Sequence, residues 1–191
     1  MSEMNRLWVR LQHLSGHKDR EIREVERNEL RVTVGENIIR LSSLNGVTFD
    51  IYNERILPRI LEIVIMCKDT MAQQYLMECV IQAFPDEFHV QTLEQLLNTT
   101  SNLNSDVDIK NIFISLMEKL SKYAASAGNS ENNLLAQINR DLDIFALFKK
   151  YTDKIIEEQG RKIEVSKILE LEVNFMNFTI KTYPGNIGYV N

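Results

Sequence analysis

The chain has 191 residues, 44% of them hydrophobic and 26% charged, with 22 Lys and Arg against 27 Asp and Glu for a net charge of −5. That make-up suits a folded domain or a run of stacked helices and excludes wholesale disorder. The acidic balance excludes the basic footprint of a nucleic-acid binder and gives this piece no electrostatic hold of its own on an anionic membrane.

Only seven glycines and three prolines occur, and the stretches Val47–Leu57 and Arg59–Phe84 contain neither. Strands need turn residues about every eight to twelve positions, so the pattern predicts long helices. Met4–His13 reads as a short helix with Leu7, Trp8 and Leu11 on one face, broken by Gly16. Trp8 is an exposed anchor there or, preferred, part of a packing face that has lost its neighbour. Lys18–Leu44 reads as a long helix. Its first half, Lys18–Arg31, has ten charged residues of fourteen, five of each sign, with helical pairs such as Asp19 with Arg23 and Arg20 with Glu24. Only Ile22, Val25 and Leu30 offer that half a core face, so it lies on the surface, either as a salt-bridged solvent face or as a docking strip for another subunit. From Val32 on the helix is apolar, with Gly35 as a point of weakness, and Asn45-Gly46 ends it through a left-handed glycine.

Thr48–Cys67 is the next helix, capped by Thr48 or Asp50 and kinked or restarted at Pro58. Ile60, Leu61, Ile63, Val64, Ile65 and Met66 make its second half apolar on nearly every side, which predicts burial all round. Asp69 caps Thr70–Phe84, stopped by Pro85, and the two-residue join Lys68-Asp69 predicts an antiparallel pair. His89–Asn98 is a shorter helix, followed by a polar loop at Thr99–Ser105. Asp106 or Asp108 caps Ile109–Ala125, whose stripe is Ile109, Ile112, Phe113, Leu116, Met117, Leu120 and Ala124. Ser126–Asn133 reads as a mobile linker and Leu134–Ile138 as a further turn of helix. Asp141 caps Leu142–Glu158, which ends at Gly160. Lys162–Thr182 is broadly apolar through Val165, Ile168, Leu169, Leu171, Phe175, Met176 and Phe178, and ends at Pro184-Gly185.

These elements predict an all-α fold. Helix pairs recur at about forty residues, the spacing of helical repeats. Several helices are apolar on more than one face, as a layer between neighbours must be, which favours a solenoid over a closed bundle. The expectation is a right-handed α-solenoid of HEAT-like antiparallel helix pairs, one run of stacked repeats over 1–191 with the linker at 126–133. If such a stack is cut at its ends, bare apolar faces on the end helices predict self-association.

Candidate chemistry is sparse. Cys67 and Cys79 fall in apolar helical stretches and read as buried, reduced thiols, with no secretory signal to support a disulfide between them. The longest apolar runs, Ile63–Cys67 and Ile144–Phe148, fall far short of the roughly 20 residues of a membrane span. Met1–Trp8 has no apolar segment of the kind a signal peptide needs, so a cytoplasmic protein is expected. His13 and His17 stand four apart across Gly16 with no acidic or cysteine partner at ligand spacing. His89 reads as a loop or cap residue, and Asp86 and Glu87 as solvated acids on a turn. No nucleophile elbow and no glycine-rich phosphate loop occurs. No residue is therefore assigned a catalytic, cofactor-binding or metal-ligating role, no cofactor is expected, and an enzyme is disfavoured.

Gln74–Leu93 reads Gln-Tyr-Leu-Met-Glu-Cys-Val-Ile-Gln-Ala-Phe-Pro-Asp-Glu-Phe-His-Val-Gln-Thr-Leu. This segment resembles the helix and the Phe-Pro-Asp-Glu-Phe-His turn of the vacuolar protein sorting-associated protein 35 family, the large scaffold subunits of retromer. Glu3–His13, Glu26–Leu30, Val107–Lys110 and Leu116–Ser126 are similar to the same family in the same order. The resemblance is close over Glu3–Ser126 and looser over Lys149–Asn191, where glycines replace charged residues in Tyr183-Pro184-Gly185-Asn186-Ile187-Gly188-Tyr189. It points to a central fragment, since the family's Pro-Arg-Leu-Tyr-Leu motif for the arrestin-like subunit and its half that wraps the phosphoesterase-like subunit have no counterpart here. No partner-contact residue is carried over. The resemblance implies a non-enzymatic scaffold of the retromer coat, peripheral on the endosome membrane through its partners. Those partners are the arrestin-like and phosphoesterase-like subunits and sorting nexins. The implied role is return of receptors from endosomes to the Golgi and the plasma membrane. The alternative is an unrelated cytosolic helical-repeat adaptor or coat scaffold; from another class, a small helical hydrolase would need a dry cleft with converging polar groups.

Overall fold

The structure, a computed structural model, describes residues 3, 6, 7, 10, 20–67, 69–127, 143–159 and 165–182. They are helix, turn and loop, with no strand among them, in keeping with the all-α expectation. No helix among the described residues is long and apolar enough to cross a membrane. Two compact units divide them, one gathering those up to Phe84 with Ser101–Val107, the other Pro85–Thr100 with those from Asp108 on. Of the short helix expected at 4–13, residues Arg6, Leu7 and Arg10 are helical; Trp8, Leu11, His13, Gly16 and His17 lie outside the described residues.

In the first unit α1, Arg20–Ser42, runs unbroken through Gly35. Val25, expected on a core face, is 57% exposed along with Glu26 and Glu29, while Val34 and Ile38 are fully buried. The pairs drawn from Asp19, Arg20, Arg23 and Glu24, and the side chains of Ile22 and Leu30, lie outside the described residues. The helix does not reach Asn45-Gly46. The Ser42 and Ser43 hydroxyls each donate to the Ile39 carbonyl at 2.8 Å, joined by the Ser43 amide at 3.0 Å. These bonds occupy a terminal carbonyl that a glycine cap would have served. Gly46 sits in the following turn in open space, without a left-handed φ.

Thr48, of the two candidate caps, takes the amide of Ile51 at the start of α2, Phe49–Ile51. A π-helical turn, Tyr52–Ile56, carries the chain into α3, Leu57–Cys67, with the Leu57 amide reaching back to the Tyr52 carbonyl. Pro58 has no N–H to donate, and the widened turn before it is how the helix restarts without breaking. Asp69 caps α4, Thr70–Ala83, by accepting from the Ala72 amide at 2.8 Å. With so short a join and direct packing between them, α3 and α4 form the expected antiparallel pair. The α1 helix packs on α4 in parallel: the Arg31 guanidinium lies 5.4 Å from the Tyr75 ring centre, and Gly35 faces Tyr75 and Cys79. Return of a parallel helix after an intervening antiparallel one is the geometry of stacked helical repeats.

In the second unit the single helix expected at His89–Asn98 is two, α5, Asp86–Gln91, and α6, Leu93–Thr100, with Thr92 between them outside helical geometry. Asp86 and Glu87 belong to the first turn of α5, where acids suit the helix dipole, and not to a solvated turn. Asp108, not Asp106, caps α7, Ile109–Ala127, receiving the Asn111 amide. Asp143 accepts from the Ala146 amide at 3.0 Å at the start of α8, Ile144–Gln159. The last helix, α9, is Val165–Thr182. Ser126 and Ala127 finish α7; residues 128–142, which hold the rest of the expected linker, Leu134–Ile138 and Asp141, lie outside the described residues, as do 160–164 and 183–191. The α7 stripe is buried from Ile109 to Leu120, as its periodicity predicts. Phe148 of α8 is fully buried between Phe113 of α7 and Phe178 of α9, with ring centres 6.1 and 5.1 Å away. Lys110 pairs with Glu170 at 2.7 Å, and further along Met117 and Ser121 share a groove with Asn177 and Phe178, so α7 and α9 are parallel. The second unit, like the first, thus has a later helix returning parallel to an earlier one.

Candidate interaction surface

Helix α9 is apolar on two faces. One face turns Leu171, Phe178 and Thr179 inward. The other leaves Val165 71%, Leu169 59%, Val173 55%, Met176 52% and Ile180 50% exposed. At about 100° per residue these five fall within an arc of about 80°, a continuous stripe. Monomers seldom leave contiguous patches of that kind uncovered, and such patches mark contact surfaces.

Between α7 and α9 runs a groove of about 440 Å³ lined by Met117, Glu118, Ser121, Lys122, Asn174, Asn177, Phe178 and Lys181. The two lysines lie late in their helices, where a cation complements the carbonyl end of the helix dipole. Glu118 faces the same space, and no constellation of nucleophile, base and orienting acid lines it.

The first unit shows smaller open faces. Val25, Val32 and Ile39 of α1 repeat every seven residues and are all more than half exposed. Ile65 and Met66, expected to be buried all round, are 36% and 70% exposed, because no described element of that unit covers the far side of α3; Met71 is 59% exposed. The Lys18–Arg31 strip holds only three described side chains besides Arg31, all exposed.

Those of the residues weighed for chemistry that are described are not brought together. His89 is fully buried on α5, so it is neither a loop nor a cap residue. Asp86 pairs with Lys119 of α7 at 3.1 Å. Cys67 and Cys79 are not joined in a disulfide, and each is half-buried. Burial raises the Cys79 thiol pKa above its ordinary value, which makes it a poor nucleophile. The Tyr75 phenol is pushed up to about 12, first by burial and then by its hydrogen bond with Cys79. Among the described residues no group of His, Cys, Asp and Glu is placed to hold a metal ion. The α9 stripe was legible only as broad apolar coverage; its sequence did not say which of the two faces lacks a neighbour.

Paired helices, a returning parallel third helix and open apolar flanks define this chain as a helical-repeat protein. It belongs to the vacuolar protein sorting-associated protein 35 family, whose sequence model matches residues 1–191. Vacuolar protein sorting-associated protein 35C of Arabidopsis thaliana is 43% identical over 190 residues, 100% of this chain and 23% of the relative. Vacuolar protein sorting-associated protein 35 of Dictyostelium discoideum is 45% identical over the same span, again 23% of the relative. The Schizosaccharomyces pombe protein of that name is 41% identical over 163 residues, 85% of this chain and 19% of the relative. The chain spans about a quarter of the length of the relatives it matches.

Proposed function

We propose that this chain is a non-enzymatic rod segment of the retromer cargo-sorting coat, acting in return of receptors from endosomes to the Golgi and the plasma membrane. The observation that carries the reading is the family match along the whole chain, joined to the repeat geometry in each unit. In this reading the chain is one run of stacked repeats over 1–191 and a spacer. Helices packed side by side fix the distance and curvature between binding sites held elsewhere in a longer assembly, and the chemistry is geometric. The partners are the arrestin-like and phosphoesterase-like subunits and sorting nexins, and the chain is cytoplasmic and peripheral on the endosome membrane through them.

A chimera tests this. In the Dictyostelium discoideum relative, the matched quarter is replaced by this chain and the replacement is expressed in cells lacking the native protein. Restored endosomal localisation, co-purification of the other coat subunits and normal return of a sorting receptor are expected. A chimera that folds and is abundant, yet leaves the receptor in degradative compartments, overturns the reading.

A further inference from the structure

We infer that Asn45 is a site of spontaneous covalent modification: with the Gly46 amide it undergoes deamidation, which turns the connection between α1 and α2 into an aspartyl or isoaspartyl link. Asn45-Gly46 is the one Asn-Gly step in the sequence, and no Asp-Gly step occurs. The reaction needs the nitrogen of the following residue to reach the side-chain carbonyl carbon, and only glycine puts no β-carbon in its way.

The turn leaves that approach open. Leu44, Asn45 and Gly46 are all exposed, and a β-carbon placed on Gly46 would meet nothing within 4 Å. The Val47 amide donates to the Leu44 carbonyl and the Thr48 amide to the Gly46 carbonyl, each at 3.1 Å, so the bonds that close the turn spare the Gly46 amide. Among the described residues neither that amide nor the Asn45 side chain has a hydrogen-bond partner. Asn104-Ser105 is the contrast within the same unit. There Asn104 Oδ1 accepts from the Asp106 amide at 3.2 Å, and the Asn104 amide is held by Gln73 at 2.8 Å.

The chemistry needs only water. Hydroxide takes the Gly46 amide proton, and the nitrogen bonds to Asn45 Cγ. The Cγ–Nδ2 bond breaks and ammonia leaves with a proton from water, closing a cyclic imide. Water then opens the ring. Cleavage of the bond to Cγ gives aspartate. Cleavage of the bond to the backbone carbonyl carbon gives isoaspartate, in which the chain runs on through Cγ and is longer by a carbon. Water is consumed, ammonia is released, and nothing is oxidised. Either product places a carboxylate just past the carbonyl end of α1, where the helix dipole disfavours it.

Ageing the full chain at mildly alkaline pH tests the assignment. Peptide mapping by mass spectrometry reads conversion at each asparagine. An isoaspartyl methyltransferase with labelled S-adenosylmethionine reads isoaspartate. Asn45 should convert at least about tenfold faster than Asn104, because an exposed turn opens locally at little cost. Conversion should quicken as pH rises, since the attacking nitrogen must lose its proton. Gly46→Ala should slow it about tenfold and remove most of the methyl label. Space and a φ outside the left-handed region let that variant fold as the parent does, which circular dichroism checks. If it fails to fold, the comparison of Asn45 with Asn104 in the parent chain decides. Asn45 converting no faster than Asn104 in the folded chain, while it outpaces Asn104 in urea, overturns the inference by showing that the turn blocks the attack. Equal rates in urea as well overturn it at the level of the sequence. Conversion unchanged by Gly46→Ala also overturns it, because ammonia is then lost without help from the Gly46 nitrogen.

Discussion

Gly35 of α1 lies so close to Tyr75 of α4 that a β-carbon on it would run into the phenolic oxygen and stand 3.3 Å from the ring carbon bearing it. A glycine in mid-helix costs about 1 kcal/mol against alanine, so a packing reason is needed for it. The ring supplies one, since it can lie against α1 only where no side chain intervenes. Gly35→Ala should therefore destabilise the chain by about 1–2 kcal/mol despite its better helix propensity, because overpacking outweighs the gain. In a Tyr75→Phe background the nearest atom is removed, so the same substitution should cost measurably less. Urea unfolding of the two single variants and the double variant gives the coupling, and equal costs in both backgrounds would refute the contact.

Tyr75 also responds to pH. Burial, helped by the hydrogen bond with Cys79, lifts its pKa to about 12 against an ordinary value of 10.0, and the Arg31 cation only partly opposes this. The sign follows from proton counting: between those values the unfolded chain has lost the phenolic proton and the folded chain keeps it. The stability this proton contributes is present below about pH 10 and falls as pH rises towards 12. Burial raises Tyr123 and Tyr151 as well, so the ultraviolet titration of tyrosinate is read as a difference against Tyr75→Phe: the step lost should be a late one, and Arg31→Gln should delay it further. Cys79 should react slowly with disulfide reagents at pH 8 in a Cys67→Ser chain, since burial lifts its pKa as well.

The helices and most of their inner faces could be read from the sequence because each depends on local rules. Asp69 caps α4 and the α7 stripe is buried as its spacing requires. Misreadings arose where a local rule had two outlets or where the answer lay in another part of the chain. Serines replaced the expected glycine at the end of α1, whereas at Pro58, where a kink or a restart was expected, the restart is what occurs, by way of a π-turn. The acids of the Phe-Pro-Asp-Glu-Phe-His segment begin a helix because Pro85 precedes them with extended backbone. The open faces of α3 and α9 were beyond reach for a different reason. An apolar face states that a neighbour suits it, and says nothing of whether the same unit provides one.

Gln73 shows how a loop is tied to the helices of the first unit. Its amide is almost fully buried, donating to the Val64 carbonyl at 3.1 Å and accepting from the Asn104 amide at 2.8 Å. One side chain thus joins the end of α3 to the 101–107 loop. Gln73→Leu keeps the volume and removes both bonds, leaving two backbone groups to find water or remain unpaired. A loss of about 1–3 kcal/mol is expected, together with faster hydrogen exchange at Asn104. Unchanged exchange there would mean that the loop is held by Val107 packing alone.

Thr152 makes the opposite case. Its hydroxyl is buried on α8, the residue only 2% exposed, and finds no hydrogen-bond partner among the described residues. A desolvated hydroxyl without a partner costs more than a methyl group of the same shape in the same place. Thr152→Val should therefore be neutral or raise stability by up to about 1 kcal/mol, where most buried substitutions lower it. Phe148→Ala, one turn earlier on the same helix, provides the contrast. It empties the space between Phe113 and Phe178 and should cost about 3–5 kcal/mol. Thermal unfolding of the two variants separates the readings: if Thr152→Val is as damaging as a cavity, the hydroxyl has a partner that holds α8 in place.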